Sequence, residues 1–185
     1  MKEKLKWNET HSCELLKTRI LTVTERESIS PKGDSGKYIV MDAPDWVIVI
    51  PVLEEPCRFI MVKQWRHGIK SLSTEFPGGV IDEGEEPSCA AERELLEETG
   101  YKAGTLEYLG SFSPNPAIMS NKVHCFTAKK LKRVAEQKLD NDEFVEYFEM
   151  TQEEVFQKMG SSDFSHALMV AALELFRQKH GIQQE

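Results

Sequence analysis

Two apolar segments that lie close together in the chain constrain the fold more than any other sequence feature. Residues 46–52 and 59–65 are rich in Val, Ile, Met and Phe and show little of the polar alternation of a half-exposed strand. Near-continuous apolar runs of this length are typical of strands that are covered on both faces. Residues 54–57 between them predict a hairpin loop. The chain is therefore expected to build a sheet with other elements packed on both of its sides.

The rest of the chain alternates between helical and extended patterns. Pro87 near the start and Gly100 just past the end delimit a helix over residues 87–99. Further strands are expected at 106–112, 123–128 and 144–150. Two more helices follow, at 151–159 and from about 163 to 178. This order predicts an α/β fold with a mixed sheet and helices packed on its faces.

The two C-terminal helices carry different start signals. Thr151 and Glu154 have the spacing of a capping box, which predicts that the first of these helices begins there. Ser162 or Asp163 is expected to cap the last helix, because both side chains can accept a hydrogen bond from the first turn.

The N-terminal region has a different sequence pattern from the rest of the chain. Residues 18–25 alternate and are rich in β-branched side chains, and residues 38–41 favour another strand. The turn-forming segment 30–36, with Pro and Gly, separates them. We therefore expect an N-terminal β-strand region over residues 1–45 and a main domain over residues 46–185.

Composition excludes several classes of protein. Lys and Arg number 23 against 31 Asp and Glu, a net charge of −8, which argues against a surface for nucleic acid. No apolar run approaches the ~20 residues of a membrane span, and the first twelve residues lack the apolar stretch of a signal peptide. The four cysteines are irregularly spaced, which favours free thiols in a reducing compartment. We expect a cytoplasmic protein with no nucleic-acid or membrane partner.

The predicted helix at 87–99 carries a group of acidic side chains. Glu94, Glu97 and Glu98 are spaced so that all three project from one face. Carboxylates this close repel each other unless a cation lies among them, and Mg²⁺ favours carboxylates together with water and substrate phosphates. Arg93 is expected to pair with Glu85 and fix the preceding loop against the helix. A solvated acidic helix face is the alternative interpretation of the three glutamates alone.

The complete pattern is more specific than its carboxylates. It runs Gly79-x5-Glu85-x7-Arg93-Glu94-Leu95-x-Glu97-Glu98-x-Gly100-Tyr101 and resembles the Nudix box at every defined position. Residues 62–68 and 75–84 are similar to the ADP-ribose pyrophosphatase branch of the Nudix hydrolases. The resemblance implies a Nudix α/β/α sandwich with a mixed sheet, plus a small N-terminal β-sheet.

The resemblance also implies roles for the residues that match the motif. Glu94 and Glu98 would be the principal ligands of Mg²⁺, for which Mn²⁺ is a possible substitute. Glu97 would be an additional ligand, and the carbonyl of Gly78 a backbone ligand. Glu97 and Glu98 would thereby also be catalytic, and Arg66 matches the family's arginine on the substrate phosphates.

Two segments downstream of the box complete the expected site. The acidic segment 139–146 resembles the family's late catalytic loop, and Glu143 is the expected general base, with Asp142 and Glu146 as alternatives. Pro116 lies where ADP-ribose enzymes of the family carry a proline. Nearby, Asn121 stands where many relatives have a carboxylate, so this loop departs from the pattern.

Aromatic residues and the N-terminal strands bear on substrate binding and assembly. Trp46, Tyr38 and Trp7 could stack on a base, and core or interface packing is the alternative for each. In the resembling branch the N-terminal sheet is exchanged between two protomers and helps to build the adenine pocket. We therefore expect a homodimer that forms through residues 1–50.

These observations predict a Mg²⁺-dependent pyrophosphatase that hydrolyses ADP-ribose or a related nucleoside-diphosphate sugar to a nucleoside monophosphate and a sugar phosphate. One alternative is a Nudix hydrolase of another nucleoside diphosphate derivative, such as GDP-mannose or a dinucleoside polyphosphate. The other is a Nudix module that binds a nucleotide sugar without turnover, which the intact set of box carboxylates disfavours.

Overall fold

The computed structural model describes residues 2–139 and 143–182. It divides into two compact units. The N-terminal unit contains the described residues up to Asp45 together with Ser113–Lys122. The main unit contains Trp46–Phe112 and the described residues from Val123 onward.

The N-terminal unit is a three-stranded antiparallel sheet. A 3₁₀ turn at Lys2–Leu5 precedes the strands, which are β1 (Asn8–Lys17), β2 (Thr22–Ile29) and β3 (Ser35–Asp42), paired in the order β1-β2-β3. The expectation of a strand at 18–25 is wrong for its first residues, because the Thr18 hydroxyl donates to Leu21 O at 2.7 Å and closes a turn. Strand β1 was not predicted, since its polar sequence is exposed along its whole length.

The loop Ser113–Lys122 is held against β3 within the same unit. Met41 N–H donates to Ile118 O at 2.7 Å, and Ser120 N–H donates to Met41 O at 3.2 Å. Asn115 O accepts hydrogen bonds from the N–H groups of the turn that follows it. The loop is therefore tied to the N-terminal strands by main-chain hydrogen bonds.

The main unit is built on a seven-stranded mixed sheet. Its strands are β4 (Trp46–Leu53), β5 (Arg58–Arg66), β6 (Ser71–Glu75), β7 (Gly78–Val80), β9 (Thr105–Phe112), β10 (Val123–Lys129) and β12 (Val145–Thr151). They run in the order β12-β5-β4-β10-β9, with β6 beside β5 and β7 beside β4. The β4–β10 pair is parallel and the others are antiparallel. Two short strands, β8 (Tyr101–Lys102) and β11 (Lys132–Arg133), pair separately.

Helices cover both faces of this sheet. They are α1 (Pro87–Thr99), α2 (Gln152–Lys158) and α3 (Ala167–His180), with a 3₁₀ turn at Ser162–Phe164. Along β4, Val47 and Val49 pack with Leu95 of α1, whereas Ile48 and Ile50 pack into a second core with α3. Successive side chains of a strand point to opposite faces of the sheet. Both sets of β4 side chains are apolar because each set enters a core. The expected α/β sandwich with a mixed sheet and a small N-terminal sheet is confirmed.

Helix ends follow local capping chemistry. Gly100 adopts a left-handed conformation (φ 74°) and its N–H donates to Leu96 O, so the helix predicted at 87–99 is confirmed. The capping box that opens α2 is also present. The expected cap of α3 is wrong, because the Nδ1 atom of His166 accepts from Leu168 N–H and residues 162–164 form the 3₁₀ turn.

Two further features concern cysteines and membranes. The four cysteines are free thiols, of which Cys125 alone is buried. Among residues 2–139 and 143–182, no helix has the length and apolar character needed to cross a bilayer.

Candidate active site

The acidic face of α1 borders the face that enters the core. Ala91 and Leu95 are buried with Val47 and Val49 in the core on the α1 side of the sheet. Along the acidic face, Glu98 is 4% exposed, Glu94 is mostly buried and Glu97 is more accessible. The three carboxylates therefore lie in different environments although they share a face.

Two consecutive glycines allow main chain to approach these carboxylates closely. Gly78 N–H donates to Oε2 of Glu98 at 2.9 Å. A Cβ atom on Gly79 would lie 2.4 Å from Oε1 of Glu94, and one on Gly78 would lie 2.2 Å from the carbonyl oxygen of Val47. A larger residue at position 79 would displace the Glu94 carboxylate, and one at position 78 would force β7 away from the main chain of β4.

Burial makes the negative charge of two of these glutamates costly. The pKa of Glu98 is raised to about 8, mainly by burial and also by the nearby carboxylates of Glu94 and Glu143, whereas the Gly78 hydrogen bond and the charge of Arg66 oppose the rise. The pKa of Glu94 is also raised, mainly by burial, although Arg93 lowers it. Carboxylates in this condition favour a nearby cation.

Arg93 joins the loop before α1 to the helix. Its Nε and one Nη donate to the two oxygens of Glu85 at 3.0 and 2.8 Å, and it also donates to Val80 O at 2.9 Å. A further Nη atom lies 2.7 Å from Glu94 and 3.3 Å from Glu97. The predicted pair between Arg93 and Glu85 is confirmed, and its hydrogen bonds lower the pKa of Glu85.

Arg66 is oriented by a buried carboxylate that sequence reasoning did not select. Two guanidinium nitrogens of Arg66 donate to the two oxygens of Glu75, which is 1% exposed. Burial raises the pKa of Glu75, but the hydrogen bonds and charge of Arg66 outweigh it, so the pKa is lowered. Both residues lie on strands, and β6 was not predicted, so the sequence carried no signal that they meet.

Glu143 lies close enough to these residues for its charge to affect their pKa values. Its carboxylate raises the pKa values of Glu94, Glu98 and Arg66. Of its two alternatives, Asp142 lies outside the described residues, and Glu146 is an exposed residue of β12 that pairs with Lys63 of β5.

The family of this chain follows from a comparison with known domains. The model of the NUDIX domain matches residues 44–172, which is most of the chain. The chain belongs to the Nudix family.

Nudix relatives and a solved structure match over most of the chain. The ADP-ribose pyrophosphatase of Bacillus subtilis (strain 168) is 35% identical over 84% of both chains. A protein of Bacillus methanolicus named methanol dehydrogenase activator is 31% identical, again over 84% of both. The crystal structure of an ADP compounds hydrolase superposes with a TM-score of 0.84 at 26% identity, covering 95% of each chain. This chain is a Nudix hydrolase of the ADP-ribose pyrophosphatase-like type.

The donor set of this Nudix site fits a hard divalent cation. In the described part of the chain, no three His, Cys, Asp or Glu side chains are arranged as a ready-made metal cluster. Arg93 lies between Glu94 and Glu97 and neutralises part of their charge. The buried oxygens of Glu94 and Glu98 are nevertheless the ligand type that Mg²⁺ prefers, and their raised pKa values indicate charge that a cation would compensate.

The remaining residues that the sequence suggested are divided between the two units. Trp46 begins β4 and packs against the core on the α3 side. Pro116 is exposed in the Ser113–Lys122 loop of the N-terminal unit. Trp7 and Tyr38, in the same unit, contact each other edge to face with ring centres 5.5 Å apart.

The departure at Asn121 has a structural reason. Its side chain is 3% exposed, and Nδ2 donates to Pro44 O at 3.0 Å. A carboxylate at this position has no N–H group to donate and would be buried against a carbonyl oxygen. Asn121 is therefore part of the framework that anchors the loop.

Proposed function

We propose that this chain is a Mg²⁺-dependent pyrophosphatase of ADP-ribose or a related nucleoside-diphosphate sugar. Water would add across the diphosphate bond to yield a nucleoside monophosphate and a sugar phosphate. The proposal depends most on one observation, the buried pair Glu94 and Glu98 with raised pKa values close to Arg66 and Glu143. It is supported by the printed names of the relatives, which include an ADP-ribose pyrophosphatase and an ADP compounds hydrolase.

The carboxylates of α1 are proposed as the metal-binding part of the site. Glu94 and Glu98 would hold Mg²⁺, with Glu97 and the carbonyl of Gly78 as further ligands. When bound, Mg²⁺ would neutralise negative charge on the phosphoryl oxygens. The Gly78 N–H group orients the Glu98 carboxylate by its hydrogen bond, and Arg93 holds the loop that precedes the helix.

Arg66 and Glu143 are proposed to act on the substrate and on water. Arg66 would stabilise phosphate charge, and Glu75 would keep its guanidinium in one orientation by accepting two hydrogen bonds. Glu143 would accept a proton from the attacking water at its carboxylate. Trp46 and Pro116 remain proposed substrate contacts.

A panel of substrates tests the reaction. Phosphate release from nucleoside-diphosphate sugars, coupled to a phosphatase, is measured with Mg²⁺, with EDTA and in the variant Glu98→Gln. We expect ADP-ribose to be preferred, and activity to fall at least about 100-fold with EDTA and in the variant. Glu92→Gln is the matched control, since Glu92 is an exposed residue of the same helix and should leave activity unchanged.

Other outcomes of this panel contradict specific parts of the proposal. Preference for GDP-mannose or a dinucleoside polyphosphate would overturn the substrate class and retain the Nudix chemistry. Binding of the nucleotide sugars without turnover of any would establish a non-catalytic module. Glu143→Gln is expected to lose about 100-fold or more in kcat, and a loss below about threefold would exclude Glu143 as the base.

We also propose a homodimer that forms through residues 1–50. In the N-terminal unit, β1 and its neighbours expose several large apolar side chains, namely Trp7, Leu15, Leu16, Tyr38 and Ile39. Apolar exposure of this kind favours an interface. Light scattering at micromolar concentration should give the mass of two chains, and the mass of one chain would exclude the dimer.

A further inference from the structure

A segment that crosses the C-terminal end of α1 joins two parts of the main unit. Residues 134–138 run alongside the C-terminal end of the helix, and their N–H groups donate hydrogen bonds to carbonyl oxygens there. Val134 N–H donates to Gly100 O at 2.9 Å, and Lys138 N–H donates to Glu97 O at 2.9 Å. These contacts satisfy carbonyl groups that have no partner within a helix.

The side chain of Gln137 extends this connection to the sheet. Its Nε2 atom donates to Glu98 O at 2.6 Å and to Val145 O at 3.1 Å. Both acceptors are main-chain carbonyl oxygens, so the NH₂ group of the amide must face them, and a carboxylate of equal length could not replace it. Gln137 is half-buried in this position.

The two carbonyl groups belong to different elements of the main unit, α1 and β12. Glu98 is near the end of α1 and is the most buried of the three glutamates on its acidic face. Val145 is the first residue of β12 and lies two positions after Glu143. The position of the Glu143 carboxylate relative to Glu98 therefore depends on where β12 begins relative to α1.

We infer that Gln137 is a positioning residue: its amide ties the first residue of β12 to the last turn of α1 and thereby holds Glu143 close to the carboxylates of the helix. The inference deepens the proposed function and rests on it, because it takes Glu143 as the general base. Gln137 itself has no contact with substrate in this role and acts through Glu143.

The connection is first tested without substrate. Gln137→Met keeps the length of the side chain and removes both donors. We expect amide hydrogen exchange in the segments 134–139 and 145–151 to become about tenfold faster or more. Gln157→Met is the matched control, since it removes an exposed side-chain bond to Glu153 on α2. Unchanged exchange in Gln137→Met would overturn the inference and would leave the proposed function intact.

Kinetics then test whether Gln137 acts through the base. Gln137→Met should lower kcat at least about tenfold with KM changed less than about twofold, because a small displacement of a reacting group is costly. In a Glu143→Gln background the same substitution should lower kcat by less than about twofold further. Equal losses in the two backgrounds would mean that Gln137 only supports the fold, which would overturn the inference.

The failures of the two proposals are distinguishable. If Glu143→Gln is strongly impaired and Gln137→Met keeps kcat within about twofold of wild type, the inference is wrong and the base assignment stands. If Glu143→Gln retains activity within about threefold, the base assignment is wrong and the inference is wrong with it.

Discussion

The guanidinium group of Arg66 donates two hydrogen bonds to the carboxylate of Glu75, and the two side chains differ sharply in their access to water. Glu75 is 1% exposed, whereas 40% of the Arg66 side chain remains accessible. The carboxylate thus serves as a buried support, and the charges of Glu98 and Glu143 also act on the arginine and raise its pKa. An arginine held in this way loses little entropy when it binds a phosphate.

Replacing the buried partner should weaken both stability and substrate binding. In Glu75→Gln the free energy of unfolding should fall by about 1–3 kcal/mol, below the usual cost of breaking a fully buried pair because Arg66 is partly solvated. The KM for substrate should rise, since Arg66 loses its orientation. Urea denaturation and steady-state kinetics measure the two effects.

The matched control for this pair is Glu149→Gln. Glu149 of β12 pairs with Arg58 on the sheet surface, where both side chains are well exposed. The loss should stay below about 1 kcal/mol. Equal losses in the free energy of unfolding for the two substitutions would show that the burial of Glu75 contributes nothing to stability.

Glu98→Gln should stabilise the protein in EDTA while it removes activity. The amide keeps an oxygen that can accept from Gly78 N–H, and it removes the cost of burying a charge beside Glu94. We expect the Tm at pH 8 to rise by about 3–8 °C. Differential scanning fluorimetry in EDTA measures the change, with Glu92→Gln as control. A Tm at or below that of wild type would contradict the electrostatic account of the site.

His166 should make stability depend on pH in a defined window. Burial lowers the pKa of His166, the charge of Arg66 lowers it further, and Glu75 opposes both. A lowered pKa means that the unfolded chain binds protons more readily, so stability should fall as the pH falls below about 6.5. Protonation would also remove the Nδ1 acceptor that caps Leu168 N–H.

The variant His166→Asn separates this effect from other titrations. Asn caps helices well and does not titrate, so the variant should lose less stability than wild type between pH 7 and pH 5. Urea denaturation at each pH gives the difference. Parallel pH profiles of the two proteins would exclude His166 as the cause.

The four cysteines should differ in their reactivity toward an alkylating reagent. Burial raises the pKa of Cys125 to about 12, and its side chain is removed from solvent, whereas Cys13, Cys57 and Cys89 are exposed. Iodoacetamide at pH 8 should modify the three exposed residues and spare Cys125 until the protein is unfolded. Peptide mass spectrometry identifies the modified residues. An adduct on Cys125 in the native protein would contradict its buried position in β10.

Local patterns predicted the layered core of the main unit well. The bounds of α1 followed from Pro87 and Gly100, and β4 and β5 from continuous apolar sequence. Short polar strands such as β6 could not be predicted, because their pairing depends on neighbours distant in the chain. The His166 cap was missed for a similar reason: Ser162 and Asp163 are both suitable caps by local chemistry, but residues 162–164 form a 3₁₀ turn and the helix begins after His166.

The amino-acid sequence alone determined that Glu94, Glu97 and Glu98 share one face of a helix and that Arg93 reaches Glu85. These relationships span a few turns of chain, where the helical period is sufficient to place side chains. The tertiary structure decided that Glu98 is buried against Gly78, that Arg66 is held by Glu75, and that Gln137 connects α1 to β12. Burial and hydrogen-bond partners of this kind arise only when distant segments pack together, and the pKa values of the site depend on them.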